Sequence, residues 1–329
     1  MKVGKLDWDD LKYLINNNKT VLREDVRIRS GIGEDCSVVN FGDKECVLST
    51  DPITGADKNS GKLAVNINCN DIASCGIEPV GILVTILAPE HSTLEEINSV
   101  MQEIDYETKK LNVEILGGHT EVTRAVNKMV ISCTVIGKGE DKSAVATSGA
   151  REGDDIIITK NLCLEGTSII VNDYEKEVAN ILSEAEIKEA KSYIENISVV
   201  KEGLISGKFG VNSMHDITEG GILGAIWEVA KASKKGFKIY KDKMPITEIT
   251  SKLCSKYDID PLRLISSGSM LITAENGKSL VEVLEKHNIK ACIVGKITDE
   301  KGILIDKNCE NEVDPPKRDE LFVFKEKLS

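Results

Sequence analysis

Short aliphatic segments alternate with longer amphipathic segments through the first part of the sequence. The aliphatic segments have the length and bounding turn residues of β-strands, and the longer segments space their apolar residues along one face of a helix. The predicted strands are residues 37–41, 46–50, 81–88, 113–116 and 130–136, and the predicted helices are residues 63–75 and 94–111. Such an alternation is typical of an α/β domain.

A polar segment rich in Gly, Ser, Asp and Lys interrupts this pattern at residues 137–153. We place a domain boundary near Ser148 and expect one domain over residues 1–148 and another over residues 149–329. The second half is predicted to begin with a strand at residues 155–159, followed by a long polar helix with an internal break at residues 174–206. A second helix starts at Gly220 or Gly221. Two further strands, at residues 270–273 and 291–294, are separated by a helix at residues 277–287. The chain is therefore predicted to combine an α/β domain with an α+β domain.

Length and charge limit the classes of function. A chain of 329 residues favours two domains, since single cores rarely grow so large. A formal net charge of −12 argues against binding to nucleic acid or to an anionic membrane. The sequence has no signal-peptide pattern and no membrane-spanning apolar run, and its nine cysteines are dispersed without a Cys-x-x-Cys pair. We therefore expect reduced thiols and a cytoplasmic protein.

Four aspartates stand beside glycines or near apolar segments: Asp35, Asp51, Asp71 and Asp216. Carboxylates are the protein ligands that Mg²⁺ takes, together with phosphate oxygens and water. Taken singly, such an aspartate is by default a turn or helix-capping residue. Asp71 differs because it lies within a predicted helix, where an unpaired buried carboxylate is costly and a metal ion would supply a partner.

A glycine pair, Gly117 and Gly118, follows the predicted strand 113–116 and precedes His119 and Glu121. Backbone N–H groups of paired glycines can approach an anion closely. In an extended segment His119 and Glu121 would share one face. These residues alone favour the alternative, a glycine turn with a surface histidine.

Residues 216–221 precede apolar positions that are spaced for a packed helix. Asp216 or Thr218 is a candidate N-cap for that helix. The helix N-terminus, with Thr218 and Gly220 at its start, is favourable for a phosphate group. A cap and a phosphate site are compatible here.

The common nucleotide-binding and hydrolase signatures are absent from the sequence. It contains no Gly-x-x-x-x-Gly-Lys-Ser/Thr loop and no Gly-x-Ser-x-Gly elbow. The Gly31-x-Gly33 segment does not complete a dinucleotide fingerprint, because Cys36 occupies the place of the third glycine. The scattered aspartates are therefore the leading candidates for chemistry.

Six segments, in order, resemble the aminoimidazole-ribonucleotide (AIR) synthetase superfamily, at residues 31–39, 49–55, 68–79, 117–123, 215–221 and 265–271. This superfamily includes the hydrogenase-maturation carbamoyl dehydratase, thiamine-monophosphate kinase and selenophosphate synthetase. The hydrogenase-maturation branch is the most similar, through residues 70–73 and 215–221. The resemblance implies a PurM-like N-terminal α/β domain that forms a β-barrel-like homodimer core, and an α+β C-terminal domain that closes over a cleft.

The resemblance also implies the ligands and the site. ATP would lie in the cleft with its phosphates on Mg²⁺, which would be held by Asp35, Asp51, Asp71 and Asp216. Asp71 and His119 would be catalytic. The residues implied to contact the nucleotide are Asp35, Asp51, Asn70, Gly117, Gly118, Glu121, Thr218 and Gly220.

Two features depart from the family pattern. The hydrogenase-maturation enzyme ends in a cysteine whose thiol carries the group that is dehydrated, whereas this sequence ends in Ser329 and its last cysteine is Cys309. The kinase branch has an aspartate after its paired glycines, where this sequence has His119, and Glu121 is a candidate replacement.

These observations predict an ATP- and Mg²⁺-dependent enzyme that phosphorylates an oxygen on a small molecule or on a group of a partner protein. One alternative is a non-catalytic, nucleotide-binding scaffold for hydrogenase maturation, and another is a thiamine-monophosphate kinase. We expect a homodimer, and we expect neither nucleic acid nor a membrane as a partner.

Overall fold

The computed structural model describes residues 6, 8–17, 21–29, 31, 33–56, 58–315 and 318–328. Two mixed β-sheets lie within these ranges, and each has its own helices. The predicted two-domain architecture of helices and strands is therefore confirmed. The boundary near Ser148 lies between the last strand of the first sheet and the first strand of the second, and it stays a prediction.

The first sheet has six strands in the order β1-β2-β3-β6-β4-β5. Strands β4 and β5 are parallel and joined by a helix, whereas the other described pairs are antiparallel. The elements of this part are α1 (Trp8–Asn17), β1 (Val26–Ile28), β2 (Ser37–Asn40), β3 (Lys44–Ile53), α2 (Ser60–Ser74), β4 (Pro79–Ala88), α3 (Leu94–Leu111), β5 (Glu114–Val122) and β6 (Val130–Glu140).

The second sheet has seven strands in the order β13-β12-β9-β11-β7-β10-β8. Its strands are β7 (Asp155–Thr159), β8 (Ser213–Asp216), β9 (Gly236–Tyr240), β10 (Met270–Ala274), β11 (Ala291–Thr298), β12 (Gly302–Asp306) and β13 (Cys309–Glu312). Its helices are α4 (Leu164–Asp173), α5 (Glu175–Val178), α6 (Glu184–Ser192), α7 (Val200–Phe209), α8 (Gly221–Ser233), α9 (Glu248–Tyr257), α10 (Gly277–Lys286) and α11 (Glu320–Leu328).

The long polar helix predicted over residues 174–206 is divided more often than expected. It consists of α5, α6, a 3₁₀ turn (Tyr193–Asn196) and α7. Ser183 starts α6 because its hydroxyl accepts the Glu186 N–H while the Glu186 carboxylate accepts the Ser183 N–H. A capping box of this kind starts a new helix, so residues 174–206 form separate short helices.

Helix α2 connects the two halves of the molecule. It is buried along almost its whole length, because it packs on α3, on β3 and β6 of the first sheet, and on α7 and β8 of the second half. The contact with α7 is close at Gly203, where an added Cβ would lie 2.1 Å from the carbonyl oxygen of Ala73. Glycine at this position allows the two helices to approach, and this places α2 between the two sheets.

Replacing Gly203 with alanine tests this contact. Because the clash would be with backbone, we expect Gly203→Ala to lower the free energy of unfolding by about 1–3 kcal/mol, the usual cost of overpacking. Urea denaturation measures the change. Gly55→Ala is the matched control, since a Cβ there would meet nothing within 4 Å. Equal stability of the two variants would show that α2 and α7 separate without cost.

Two further features concern the cysteines and the helices. All nine cysteines lie in the described ranges and all are free thiols. In the part of the chain that the structure describes, no helix combines the length and the apolar character needed to cross a membrane.

Candidate functional site

Three of the predicted metal-binding aspartates, Asp35, Asp51 and Asp216, lie near enough to the fourth, Asp71, for their charges to act on it. Burial raises the pKa of Asp71 well above its ordinary value, and the negative charges of Asp216, Asp35 and Asp51 raise it further. These charges act on Asp71 only because they are near it. Carboxylates far apart in the sequence thus converge after folding.

Two of these aspartates are held in place by neighbours on β3 and α2. Ser49, on β3, donates a hydrogen bond of 2.5 Å to Asp71 Oδ2. Asn68, on α2, accepts the Asp51 N–H at 2.8 Å and donates to the Asp51 carbonyl oxygen at 3.3 Å. These contacts fix the position of Asp51 and Asp71 relative to each other.

The other two aspartates come from different parts of the fold. Asp35 directly precedes Cys36 and β2 in the first half, whereas Asp216 is the last residue of β8 in the second half. Asp216 was predicted to start a helix as a possible N-cap, and this is wrong. It pairs instead with Met270 in the sheet, so its side chain leaves from a buried strand.

His215 joins these two halves of the site, a role that the sequence analysis missed. Its Nδ1 lies 3.2 Å from Asp35 Oδ2 and 3.8 Å from Asp216 Oδ1, and its Nε2 lies 3.0 Å from Glu228 Oε2 on α8. Burial lowers the pKa of His215, but the charges of Asp35 and Glu228 and the contact with Asp216 outweigh this, so the pKa is raised well above its ordinary value. A histidine directly before a candidate ligand was the signal available in the sequence.

The residues present fit a divalent cation. Neither carboxylate oxygen of Asp216 has a hydrogen-bond partner among the residues that the structure describes, although the residue is fully buried. A buried carboxylate without partners is costly, and a cation is the usual compensation. Oxygen donors from several carboxylates are the set that hard cations such as Mg²⁺ take.

The glycine pair does not form the turn expected after residue 116. Gly117 and Gly118 lie inside β5, and an added Cβ on Gly118 would come within 1.8 Å of the Val84 carbonyl oxygen. The pair therefore serves the close approach of β5 to β4. His119 and Glu121 lie further along the same edge strand, both exposed, with His119 Nε2 3.4 Å from Glu121 Oε2.

Asn70 is a buried packing residue in this structure. Its amide nitrogen donates to the Ile197 carbonyl oxygen and its amide oxygen accepts the Val199 N–H, each at 2.8 Å. Both ends of the amide are thus engaged by the segment before α7. This geometry gives no support to the predicted nucleotide contact of Asn70.

A carboxylate of the chain itself occupies the predicted phosphate position at α8. The N-cap is Gly220, with no side-chain cap from Thr218 or Asp216. The Gly220 N–H donates to Asp319 Oδ2 at 2.6 Å, and the Leu321 N–H donates to Asp319 Oδ1 at 2.8 Å. The predicted cap is therefore wrong, because residues just before α11 provide the anion that this helix terminus favours.

Comparison with known proteins agrees with this arrangement of two halves. The AIR synthase related protein N-terminal domain matches residues 33–138, and the AIR synthase related protein C-terminal domain matches residues 151–307. The chain belongs to the AIR synthase related family. The predicted resemblance is therefore confirmed.

Curated relatives of this AIR synthase related protein span most of its length. A putative hydrogenase expression/formation protein of Methanocaldococcus jannaschii is 29% identical and covers 93% of this chain and 94% of its own. Carbamoyl dehydratase HypE of Rhizobium leguminosarum bv. viciae is 24% identical over 80% of this chain and 77% of its own. Thiamine-monophosphate kinase of Pyrococcus horikoshii is 24% identical over 85% of this chain and 87% of its own.

Solved structures of the same fold include HypE and ThiL proteins. The HypE–HypF complex matches with a TM-score of 0.74 and 22% identity, covering 87% of this chain and 94% of that chain. HypE in complex with ATP matches with a TM-score of 0.69 and 19% identity, covering 84% of this chain and 86% of that chain. AaThiL complexed with AMPPCP and TMP matches with a TM-score of 0.75 and 20% identity, covering 95% of this chain and 97% of that chain. At these identities the likeness establishes the AIR synthase related fold.

Proposed function

We propose that this protein binds ATP through a divalent cation held by Asp35, Asp51, Asp71 and Asp216 and transfers the terminal phosphoryl group to an oxygen of an acceptor. The observation that carries this proposal is the convergence of four carboxylates, one of them buried without a hydrogen-bond partner among the described residues. ATP-bound and AMPPCP-bound structures of the same fold support the choice of nucleotide.

The chain's own residues prepare the site by position and charge. Ser49 orients Asp71, Asn68 holds the backbone at Asp51, and the surrounding core excludes water from the inner carboxylates. A bound Mg²⁺ would offset the charge of the triphosphate and of the transferring group. The acceptor oxygen would form a bond to the γ-phosphorus while the bond between that phosphorus and the β,γ-bridging oxygen breaks, leaving ADP.

Calorimetry with a non-hydrolysable ATP analogue tests the binding step. We expect binding in the presence of Mg²⁺ and its loss when EDTA removes the metal. ADP production with candidate acceptors, including thiamine monophosphate, then tests transfer. Absence of binding at millimolar analogue would contradict the proposal, whereas binding with no ADP from any acceptor would favour the scaffold alternative.

We also propose that two copies of the chain associate through the exposed side of β4 and β5. Both strands expose large apolar side chains, namely Val80, Leu83 and Leu116. A cluster of apolar side chains on a sheet is typical of a surface that another protein covers. A second copy of this chain is the proposed occupant, since the association would also cover the exposed His119 and Glu121 edge.

Sedimentation velocity tests the association. We expect a dimer for the natural protein and a monomer for Leu83→Glu, because burying the new carboxylate without a partner is costly. Leu94→Glu is the matched control, since Leu94 is an exposed apolar residue in the first turn of α3 and belongs to neither β4 nor β5. A monomeric natural protein would contradict the proposal.

A further inference from the structure

We propose that Asp35, His215 and Asp216 bind a first-row divalent transition ion, with His215 Nδ1 as a nitrogen ligand. This inference rests on the proposed metal role of Asp35 and Asp216, but it does not depend on ATP or on phosphoryl transfer. It changes the expected ion class, because Mg²⁺ takes oxygen ligands whereas an imidazole nitrogen favours transition ions.

The three side chains present their donor atoms to a common point. One ligand atom from each of Asp35, His215 and Asp216 lies within 4.8 Å of the other two. In the described part of the chain, this is the one group of three or more His, Cys, Asp or Glu residues with that geometry. Donor atoms around an ion at 2.0–2.2 Å are separated by about 3–4 Å, so small adjustments would complete the site.

Burial gives an independent reason to expect a cation there. The side chains of His215 and Asp216 are each 1% exposed. Both Asp216 carboxylate oxygens have no hydrogen-bond partner among the described residues, and His215 Nδ1 contacts carboxylate oxygens of Asp35 and Asp216 at 3.2 Å and 3.8 Å. A buried carboxylate with neither oxygen hydrogen-bonded is uncommon in a folded protein, and it requires a compensating partner.

The contact between His215 and Glu228 also supports a metal ion at His215 Nδ1. Glu228 Oε2 lies 3.0 Å from His215 Nε2, on the side of the ring opposite to Asp35 and Asp216. A carboxylate that holds one ring nitrogen fixes the orientation of the imidazole and leaves the other nitrogen for the metal. Glu228 is itself placed by packing of α8 against Gly33, where an added Cβ would lie 3.2 Å from Glu228 Cβ.

A purely structural role for His215 is the competing explanation. In that case the imidazole ring would link the first half of the chain to α8 as an ion-paired bridge, and a metal would bind to carboxylate oxygens alone. The two explanations differ in one observable feature, which is whether a nitrogen is bonded to the ion. Mn²⁺ is the probe, because it accepts carboxylate and imidazole ligands and is paramagnetic.

Pulsed electron paramagnetic resonance on the full-length natural protein with Mn²⁺ and no nucleotide tests the proposal. We expect ¹⁴N modulation from a directly bonded imidazole. We also expect calorimetry to show Mn²⁺ binding at least about tenfold tighter than Mg²⁺. Bound Mn²⁺ without ¹⁴N modulation, or equal affinity for the two ions, would overturn the proposal, and neither readout requires a variant to fold.

Variants then assign the nitrogen to His215. His215→Asn should remove the modulation and the preference for Mn²⁺, and Glu228→Gln should weaken Mn²⁺ binding by about 10–100-fold, as loss of a residue behind a metal ligand does. His287→Asn, at an exposed histidine, should change neither. If the modulation persists in folded His215→Asn, the assignment is wrong. Failure of ATP binding with ¹⁴N-coupled Mn²⁺ intact would reject the proposed function and leave this inference standing.

Discussion

Asp71→Asn is expected to reduce metal-dependent ATP binding by at least about a hundredfold, the scale expected when a group that contacts the metal is lost rather than one behind it. The same change should leave the thermal midpoint unchanged or higher. The reason is that burial and three neighbouring negative charges already disfavour the ionised form of Asp71, and asparagine removes that charge while still accepting the Ser49 hydrogen bond.

Calorimetry with an ATP analogue and a thermal melt together separate these effects. Asp105→Asn is the matched control, because Asp105 is exposed on α3 and pairs with Lys109. A variant that unfolds, but binds normally per folded molecule, would show that Asp71 is structural. Normal binding by a stable variant would remove Asp71 from the site altogether.

Stability is expected to fall as the pH rises from about 5 to about 8, through two buried carboxylates near the start of α8. Burial raises the pKa of Glu165 to about 7, with the charges of Asp319 and Glu219 adding to it and hydrogen bonds from Ser267 opposing it. Burial likewise raises the pKa of Asp319 to about 7, although hydrogen bonds from the N–H groups of Gly220, Leu321 and Ile265 act to lower it.

A folded-state pKa above the unfolded value means that the folded protein holds the proton more tightly. The contribution to stability is therefore fully present below about pH 4, and it is lost as the pH rises through about 7. For Glu165 alone the loss is about 3 kcal/mol, from roughly 1.4 kcal/mol for each pKa unit. Both carboxylates are almost completely buried, so solvent screening reduces this value little.

Urea denaturation at pH 5.5 and pH 8 measures the effect. Glu165→Gln imitates the protonated carboxyl group, so the variant should be more stable than the natural protein at pH 8 and should show a weaker pH dependence. Glu282→Gln, at an exposed position on α10, should follow the natural protein. If Glu165→Gln is destabilising at both pH values, Glu165 is ionised and favourably paired in the folded protein.

The sequence predicts best those elements whose signal is local. The structure reproduces the predicted helix 94–111 as α3, because its apolar spacing is regular and the capping box of Thr93 and Glu96 fixes its start. The aspartates were found because carboxylates beside glycines and within an apolar helix are conspicuous in the sequence. Their convergence follows from the AIR synthase related fold.

The failures concern residues whose role depends on distant partners. Strand β8 was missed because Ser213, His215 and Asp216 do not form an apolar strand pattern, and their burial comes from the elements that pack around them. Asp319 as the anion at α8 lies 99 residues from Gly220. No local pattern connects those positions, and the same is true of the contact between His215 and Asp35.

Diffraction from a crystal soaked with Mn²⁺ and a non-hydrolysable ATP analogue tests the central claim most directly. We predict an anomalous peak among the carboxylates of Asp35, Asp51, Asp71 and Asp216, with the terminal phosphates of the analogue bound to the same ion. A peak at another surface, or an analogue bound away from these four side chains, would contradict the account.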